Sequence, residues 1–456
     1  MNKPSGPDDP LDRDERATPT RAQTSFRLDE MTLTNVFGFR NASFVFEPSF
    51  NLIVGINGCG KTSLLQSIVG AVAPPINGVN LGQSHGLMEN MKAVRSELRE
   101  FEGRVRLEKC FPARIDAKGM IKGRAMTWSI SRGSEARDSV KSTGQLLSVF
   151  DDVIATADAL LPVVAFYSSE RRWVAKDVRA ENAVTSVDSR KSGYADWHDA
   201  SADIASLQRW VIAKSLERLE AAASDPGKQI PEAFENDELG IVNRAVSNAL
   251  PDSTGIRFDM RFRKLVIDWK SRDPTPFEEL SDGQRGVCAL VADIARRMCL
   301  LNPQAGSHVT LVTPGVVVID ELDMHLHPAW QRRIVGVLRE SFPQVQFFAA
   351  THSPQVIGEV AAPNILMLRR DGQSTHPERS YGLDSNEVLQ EVMGSEARNS
   401  GVETRLSEIQ RLLDDDRLSE AQSHLDELAG SVGQIPEIVQ LQSEIQSLRI
   451  LGERDE

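Results

Sequence analysis

The chain has 456 residues, of which 40% are hydrophobic and 26% are charged, and its net charge at pH 7 is −13. This length exceeds what one hydrophobic core usually supports, so we expect more than one structural unit. The composition is that of a globular protein, and no apolar stretch reaches the ~18 residues that a transmembrane helix needs. The acidic balance excludes a uniformly basic nucleic-acid surface, although it does not exclude a local basic groove.

The N-terminal segment and the cysteines bear on where the protein works. Residues 1–24 are rich in proline, charged and small polar residues, which predicts a disordered lead-in rather than a secretory signal. The four cysteines, Cys59, Cys110, Cys288 and Cys299, lack the spacing of metal ligands. A reducing, cytoplasmic location is therefore the simplest interpretation.

Hydrophobic periodicity predicts the elements in chain order. In the first half we expect strands within 26–54, a helix from 63 that ends near Pro74 and Pro75, a β-rich stretch over 103–132, a helix over 144–160, a buried strand over 161–167, a polar loop over 175–200, and helices over 202–222 and 231–249. In the second half we expect strands over 255–261 and 264–269, a long helix to Leu301, strand 315–319, helix 329–341, strand 346–350, helix 354–360, strand 364–368 and a helical tail from Val402. The alternation of strands and helices after the long helix favours a parallel sheet with helices on its faces.

Residues 55–63, GINGCGKTS, match the phosphate-loop pattern G-x-x-x-x-G-K-[ST] between an apolar run and a helical run. Glycines let backbone N–H groups turn toward phosphate oxygens, and the helix N-terminus adds a partial positive charge. We expect Lys61 to reach the β- and γ-phosphates and Thr62 to ligate Mg²⁺. The predicted nucleotide-binding residues of the loop are Asn57, Gly58, Cys59, Gly60, Lys61, Thr62 and Ser63.

Two apolar strands are followed by residues that suit catalysis. Asp320 and Glu321 come directly after a buried run of four, VVVI, at the strand end where α/β sheets bind ligands. Asp320 is predicted to hold Mg²⁺, and Glu321 to polarise the attacking water as general base, although a helix cap is the plainer alternative. His352 follows the next strand, 346–350, which should neighbour the acid-bearing strand. We therefore expect His352 to orient the water near the γ-phosphate.

The segment that follows the acid pair contains three side chains of the types that bind metals: Asp323, His325 and His327. A connecting loop, with Asp323 facing a second subunit, is the simpler interpretation.

The segment LSDGQRG at 280–286 opens the long helix and completes an ordered set of motifs. The chain resembles the ABC-type ATPases over about residues 26–370, and it resembles best their soluble SMC/RecF/OLD-like branch. The resemblance lies in the order of four motifs: the phosphate loop, LSDGQRG, the strand that ends in Asp-Glu, and the strand-end histidine. In that family the LSGGQ signature binds the γ-phosphate of ATP held by the opposite subunit. The resemblance implies that Ser281, Gly283 and Gln284 contact ATP in trans, in a homodimer formed around ATP and Mg²⁺. Asp282 departs from the paired glycines, and together with Ser281 it also suits a helix N-cap.

A narrower resemblance covers LSDGQRGVCALVADIARRMCLLNP, IDELDMHLHPAWQRRIV, THSPQVI and YGLDSNEVLQEVMG. These segments, with FYSSERR and GYADWHDAS, look like the PtuA-type ATPases of Septu and retron-associated anti-phage defence. That family implies a small HNH nuclease as partner, with a higher oligomer, DNA, or a retron reverse transcriptase and its RNA as further candidates. The acidic tail is either a docking segment for the effector or a solvated helical cap.

Other site positions stay open at this level. No glutamine stands out as the counterpart of the family's Q-loop glutamine, and residues 168–172 are the segment that corresponds best to it. Within this segment, Arg171 or Arg172 either contacts phosphate or is a basic residue of the surface. Phe39 and Arg40 are candidates to lie beside the nucleotide.

The sequence thus predicts an α/β protein: an ABC-type ATPase head with a mixed, largely parallel sheet, a helical insertion lobe and a short C-terminal helical tail. The expected divisions are a lead-in over 1–24, the first ATPase part over 25–175, the insertion lobe over 176–254, the second ATPase part over 255–400 and the tail over 401–456. A RecF-like DNA repair ATPase is the alternative function, and it should bind DNA with salt-dependent affinity. A transporter subunit is a third, and it would need a membrane partner.

Overall fold

The computed structural model describes residues 26–77, 90–101, 104–136, 140–143, 156, 158–171, 173, 189–224, 234–394 and 399–452. The chain divides into two compact units, Met1–Leu383 and Asp384–Glu456, whereas the sequence placed the start of the tail at residue 401. The predicted lead-in, nearly all of the predicted helix over 144–160, and Arg172 lie outside the described residues.

The strands and helices are numbered in chain order. The strands are β1 Phe26–Val36, β2 Phe39–Val45, β3 Phe50–Val54, β4 Ser96–Phe101, β5 Arg104–Lys109, β6 Ala113–Ile121, β7 Arg124–Arg132, β8 Val140–Thr143, β9 Val163–Tyr167, β10 Ser253–Asp259, β11 Lys264–Trp269, β12 Thr275–Pro276, β13 Gly315–Ile319, β14 Val345–Ala350, β15 Ile365–Leu368 and β16 Ser374–Thr375. The main helices are α1 Lys61–Asn77, α2 Ile204–Ser224, α3 Glu238–Ala249, α4 Asp282–Leu301, α5 Pro328–Ser341, α6 Ser400–Asp414, α7 Leu418–Val432 and α8 Pro436–Gly452. Shorter helical segments lie at Met91–Ala93, Arg190–Tyr194, Trp197–Asp203, Phe277–Glu279, Pro303–His308, Val309–Val312, Pro354–Ile357, Ala362–Asn364, Ser385–Glu387 and Val388–Val392.

A six-stranded sheet forms the centre of the larger unit, in the order β16-β15-β3-β14-β13-β9. Its strands run parallel except for β16, which confirms the mixed, largely parallel sheet. Strands β3, β9, β13 and β14 are buried at every residue, as expected for near-continuous apolar runs covered on both faces. Because these strands are parallel, their carboxyl ends meet at one edge, and that edge carries the predicted site.

Helix α1 lies between this sheet and a five-stranded sheet in the order β2-β1-β6-β7-β8, since it contacts β1 and β6 on one side and β13 and β14 on the other. Leu64, Leu65 and Ile68 are fully buried in this position. Trp128 Nε1 of β7 donates to the Ala71 carbonyl at 2.8 Å and ties the two layers together. The helix after the phosphate loop is thus fixed along much of its length.

Two local details differ from the expectations. Helix α1 continues through Pro74 and Pro75 to Asn77, because proline keeps a helical φ and the Ala71 carbonyl, which the missing N–H of Pro75 leaves without its i−4 donor, accepts from Trp128 Nε1. Residues 190–203 form two 3-10 segments rather than a polar loop. Their packing explains this, since Tyr194 and Trp197 are buried and the Tyr194 hydroxyl donates to the Pro162 carbonyl at 2.8 Å.

Helices α6, α7 and α8 form the smaller unit with a core of its own, which confirms the C-terminal helices. Ile409, Leu425 and Ile445 are fully buried at its centre. Within the described ranges, no helix combines the length and the apolarity needed to cross a membrane.

Candidate active site

The predicted site residues leave neighbouring strands at the carboxyl edge of the central sheet. Strand β14 lies between β3 and β13, so the loops that carry Lys61, Asp320 and His352 are adjacent. Strand β9 pairs with the other side of β13 and places Arg171 beside the acid pair. The tertiary structure therefore brings together residues that are up to about three hundred positions apart in the chain.

The phosphate loop has the backbone conformation that its glycines permit. Gly60 has φ +102°, and a Cβ there would lie 3.3 Å from Cζ of Phe39. Phe39, whose ring lies against this glycine, is 3% exposed, so little of the ring surface is left to contact a nucleotide base. Cys59 is buried, Ser63 is half-buried, and Asn57 and Gly58 are exposed at the tip.

Lys61 is held by main-chain oxygens of its own loop. Its Nζ donates to the carbonyls of Gly55 at 2.8 Å and Ile56 at 3.3 Å, and only 8% of the residue is exposed. Burial lowers the pKa of Lys61, while the nearby negative groups, Asp320 and Glu321 among them, oppose this shift. The loop therefore holds a cation close to where phosphate oxygens would lie.

Thr62 and Asp320 meet directly. Thr62 Oγ1 donates to Asp320 Oδ2 at 2.8 Å, and Asp320 Oδ1 accepts from the Glu321 backbone N–H at 3.1 Å. Hydroxyl and carboxylate oxygens are ligands that Mg²⁺ prefers, so this donor pair fits that ion. Asp320 is 2% exposed, whereas the Glu321 side chain is exposed with φ +48° at its backbone.

Asp323 bonds to the segment that carries the histidine, and the expectation that it faces a second subunit stays a prediction. Its Oδ1 accepts from Thr351 Oγ1 at 2.5 Å and from the His352 N–H at 3.3 Å. The reason is that β14 ends there, which leaves donors that the sheet does not satisfy.

The loop around His352 is anchored on both sides. Ser353 Oγ donates to Gln331 Oε1 of α5 at 2.6 Å. Burial lowers the pKa of His352, Lys61 lowers it further, and Asp323, Glu321 and Asp320 oppose the shift. The imidazole is therefore neutral at pH 7 and can accept or donate a proton.

The two nearby histidines have no metal-site geometry. His327 Nδ1 accepts from the Ala329 N–H at 3.3 Å and caps α5, and His325 is exposed with φ +62°. In the part of the chain that the structure describes, no three His, Cys, Asp or Glu residues form a group that could hold a metal ion.

The signature segment begins α4 with a capping box. Ser281 Oγ accepts from the Gln284 N–H at 3.3 Å, and Gln284 Oε1 accepts from the Ser281 N–H at 3.4 Å. Ser281 and Asp282 are exposed, and Asp282 forms an ion pair with Arg285. Gly283 is buried, and a Cβ there would lie 2.6 Å from the His325 carbonyl oxygen, so only glycine fits.

Arg171 is not a surface residue, which corrects one of the alternatives that the sequence left open, whereas a phosphate contact by Arg171 or Arg172 stays a prediction. It is 8% exposed, and it donates to the carbonyls of Ser168 at 3.1 Å, Asp320, and Glu321 at 2.5 Å. Burial lowers the pKa of Arg171 to about 10, so the guanidinium keeps its charge at pH 7.

A buried ionic network behind the site was missed entirely. The Tyr167 hydroxyl, at the end of β9, donates to Asp293 Oδ2 at 2.9 Å. Asp293 also pairs with Arg296 at 2.6 Å and Arg297 at 2.7 Å, and none of the four residues is more than 4% exposed. The charged residues inside the apolar run of α4 were the available signal, because an ionised group is buried only when it has a partner.

Comparison with known proteins gives two family models and several named relatives. A family model described as "AAA domain, putative AbiEii toxin, Type IV TA system" matches residues 136–358, and one described as "AAA domain" matches residues 30–222. The chain is 26% identical to "Retron Ec83 probable ATPase" of Escherichia coli, over 80% of this chain and 76% of that protein. It is 21% identical to "Septu protein PtuA" of Bacillus thuringiensis, over 91% of this chain and 97% of that protein.

Among solved structures, an SMC head bound to the C-winged helix domain of ScpA aligns with a TM-score of 0.44 and 13% identity, over 77% of this chain and 97% of that chain. The fold is defined by the strand order given above. The family matches and the named relatives make the chain similar to AAA-domain ATPases, and its motif order resembles that of the SMC/RecF/OLD-like branch. It also resembles the Septu protein PtuA and the retron ATPases.

Proposed function

We propose that this chain is a Mg²⁺-dependent ATPase that dimerises around ATP and regulates a partner nuclease in anti-phage defence. The observation that carries the hydrolytic part is the contact between Thr62 Oγ1 and Asp320 Oδ2, at 2.8 Å. It joins the phosphate loop to the acid pair across 258 positions of sequence and places the two proposed Mg²⁺ ligands together.

In the proposed reaction, water attacks the γ-phosphorus, the bond to the β-phosphate oxygen breaks, and ADP and phosphate leave. Lys61 and the N–H groups of the loop hold the phosphates, with contributions from Asn57, Gly58, Cys59, Gly60 and Ser63. Glu321 accepts the proton from the attacking water, and the neutral His352 orients that water. When bound through Thr62 and Asp320, Mg²⁺ would supply charge neutralisation at the phosphates.

The dimer part rests on the exposed start of α4. Ser281 presents its hydroxyl at the surface, while Gly283 packs inward against the loop that follows Glu321. Together with Gln284, this helix N-terminus suits an anion from outside the chain. We propose that the anion is the γ-phosphate of ATP held by a second copy, so that each site needs both copies.

The defence part rests on the similarity to the Septu protein PtuA and the retron ATPase. We propose an HNH nuclease as the regulated partner and a cytoplasmic location, in keeping with four cysteines that are unpaired. DNA and a retron reverse transcriptase with its RNA are further candidate partners.

Hydrolysis is tested by phosphate release with ATP in the presence and absence of Mg²⁺. Wild type should turn over only with the ion. Glu321→Gln should bind ATP but lower kcat by roughly 10²- to 10⁴-fold, as expected for loss of a general base. Lys61→Ala should lose nucleotide affinity instead. Hydrolysis that persists in Glu321→Gln at the wild-type rate would reject the assigned base.

The dimer is tested by light scattering on a sizing column. Glu321→Gln with ATP and Mg²⁺ should elute as a dimer, and adding Ser281→Arg should return it to a monomer that still binds ATP. A monomer at saturating ATP in Glu321→Gln alone would exclude the ATP-sandwiched arrangement.

The partner is tested by co-expression of the chain with the products of its neighbouring genes and purification of the intact complex. Recovery of a small HNH protein, with nuclease activity that responds to nucleotide, is the expected result. Stable, salt-dependent binding of DNA by the chain alone, with no nuclease recovered, would favour the RecF-like alternative.

A further inference from the structure

Arg171 occupies an unusual place for a cation in the proposed ATPase site. It lies just beyond β9, on the strand next to the acid-bearing β13, and it is almost fully buried. Among the residues that the structure describes, its two terminal nitrogens pair with no carboxylate. Nη1 donates to the carbonyls of Ser168 and Asp320, and Nη2 donates to the carbonyl of Glu321.

The Asp320 and Glu321 carbonyls, two of the three that Arg171 binds, lie just beyond the paired part of β13. Strands β13 and β9 pair in register up to Ile319 and Tyr167, and the Asp320 N–H still donates to the Tyr167 carbonyl at 2.9 Å. Beyond this point the chain turns away, with φ +48° at Glu321. A left-handed conformation costs a non-glycine residue about 1–2 kcal/mol, so the turn needs support from its surroundings. The guanidinium contributes to that support, because its planar fork donates to both carbonyls at once. Two main-chain bonds also hold the turn: the Leu322 N–H donates to the Ala350 carbonyl at 2.8 Å, and the Met324 N–H donates to the Glu321 carbonyl at 3.0 Å.

The turn decides where the Glu321 carboxylate points. A general base works only within hydrogen-bond reach of the water that it activates, and small displacements of such a group cost rate rather than affinity. We infer that Arg171 is a positioning residue for hydrolysis, which fixes the main chain of Asp320 and Glu321 and thereby aims the Glu321 carboxylate. This inference rests on the proposed ATPase function, and it assigns Arg171 no contact with ATP.

The test compares Arg171→Met and Arg171→Lys with a matched control, Arg190→Met. The Arg190 guanidinium also donates to main-chain carbonyls, those of Leu301 at 2.7 Å and Ala159 at 2.5 Å, but Arg190 lies outside the site. A cavity of about 260 Å³ beside Arg171 gives a substituted side chain room to settle. Each variant is assayed for kcat and KM, for the Kd of a non-hydrolysable ATP analogue, and for its urea midpoint.

Arg171→Met should lower kcat by roughly 10- to 100-fold, the usual cost of removing a residue that orients a catalytic group, and the analogue Kd should change by less than about 3-fold. Arg171→Lys should recover part of kcat, because one ammonium can still donate to both carbonyls. Arg190→Met should shift the urea midpoint but keep kcat within about 2-fold of wild type.

Three outcomes would overturn the inference. A wild-type kcat in Arg171→Met would show that the carboxylate is positioned without the guanidinium. A weaker Kd with unchanged kcat would assign Arg171 to nucleotide binding. An equal loss of kcat in Arg190→Met would reduce the effect to general stability. If Arg171→Met does not fold, Arg171→Lys decides the same question. If wild type hydrolyses no ATP at all, the proposed function itself fails and the inference fails with it.

Discussion

At the scale of single residues, the cationic and the acidic side chains of the site have different hydrogen-bond partners. Lys61 and Arg171 both donate to main-chain carbonyls, and among the described residues no ion pair includes Asp320 or Glu321. The Asp320 carboxylate instead accepts hydrogen bonds from a side-chain hydroxyl and a backbone amide. Because these donors are neutral, neither forms an ion pair with Asp320, so its oxygens can serve a divalent ion and Glu321 can serve as a base.

The histidine gives this arrangement a pH dependence. Burial lowers the pKa of His352 from its usual 6.5, so the ring is neutral at pH 7 and becomes charged only in more acidic solution. We predict that kcat holds constant down to below pH 6.5 and then falls as the ring protonates. His352→Gln should lower kcat by roughly 10- to 100-fold and remove this acid limb.

The measurement is kcat against pH at saturating ATP and Mg²⁺ for wild type and His352→Gln. Profiles of identical shape would assign the acid limb to another group, and His352 would lose its proposed role in turnover.

At the scale of elements, adjacent parallel strands assemble the site, and α4 connects it to the buried core. The N-terminal residues of α4 form the signature segment, and the same helix carries the network of Asp293, Arg296 and Arg297. Tyr167 brings the end of β9 into that network, four residues before Arg171. The signature helix and the strand that positions the acid pair therefore share one buried set of charges.

We predict that Asp293→Asn costs about 3–5 kcal/mol, because it leaves two buried guanidiniums without their anion. Tyr167→Phe should cost only about 1 kcal/mol, since it removes one hydrogen bond. Asp268→Asn is the matched control: it breaks a half-exposed pair with Arg257 and should cost less than about 1 kcal/mol. Urea unfolding of the three variants measures these differences.

The same network makes stability fall in acid. Burial by itself raises the pKa of Asp293, but Arg297 and Arg296 together bring it below its usual 3.8. Its contribution is therefore fully present above about pH 3.8 and is lost as the pH falls below that value. Asp293→Asn variants that match wild type in stability at pH 7 would contradict this account.

At the scale of the whole molecule, the chain has two cores that can be perturbed separately. The central sheet and its helices belong to the unit that ends at Leu383, and the C-terminal helices bury their own apolar cluster. Nothing in the proposed reaction uses a residue of the smaller unit.

We predict that Leu425→Asp disrupts the C-terminal helices but leaves ATP binding intact. Leu425 is fully buried, and an uncompensated charge there should cost several kcal/mol. Val439→Asp, on an exposed position of α8, is the control and should retain wild-type helicity. Circular dichroism reports the helix content, and analogue binding should stay within about 2-fold of wild type for both. Loss of binding in Leu425→Asp would mean that the two cores depend on each other.

Some parts of the molecule could be predicted from the sequence, and others could not. The strand-end positions of Lys61, Asp320 and His352 could be predicted because an apolar run, a turn and a polar residue are local patterns with a defined chemistry. The helical character of the C-terminal tail followed from apolar spacing in the same way, although the number of its helices did not. The 3-10 segments over 190–203 could not, because the burial of Tyr194 and Trp197 that stabilises them comes from elsewhere in the fold.

The sequence by itself determined the class of site, since the residue types of the phosphate loop and the acid pair fix what chemistry they can do. Only the tertiary structure decided the surroundings of that chemistry. It turned Arg171 onto carbonyls 149 and 150 positions away, and it turned Asp323 onto Thr351, 28 positions away. Burial and hydrogen-bond partners depend on which strands lie side by side. That is a property of long-range packing, and no local pattern contains it.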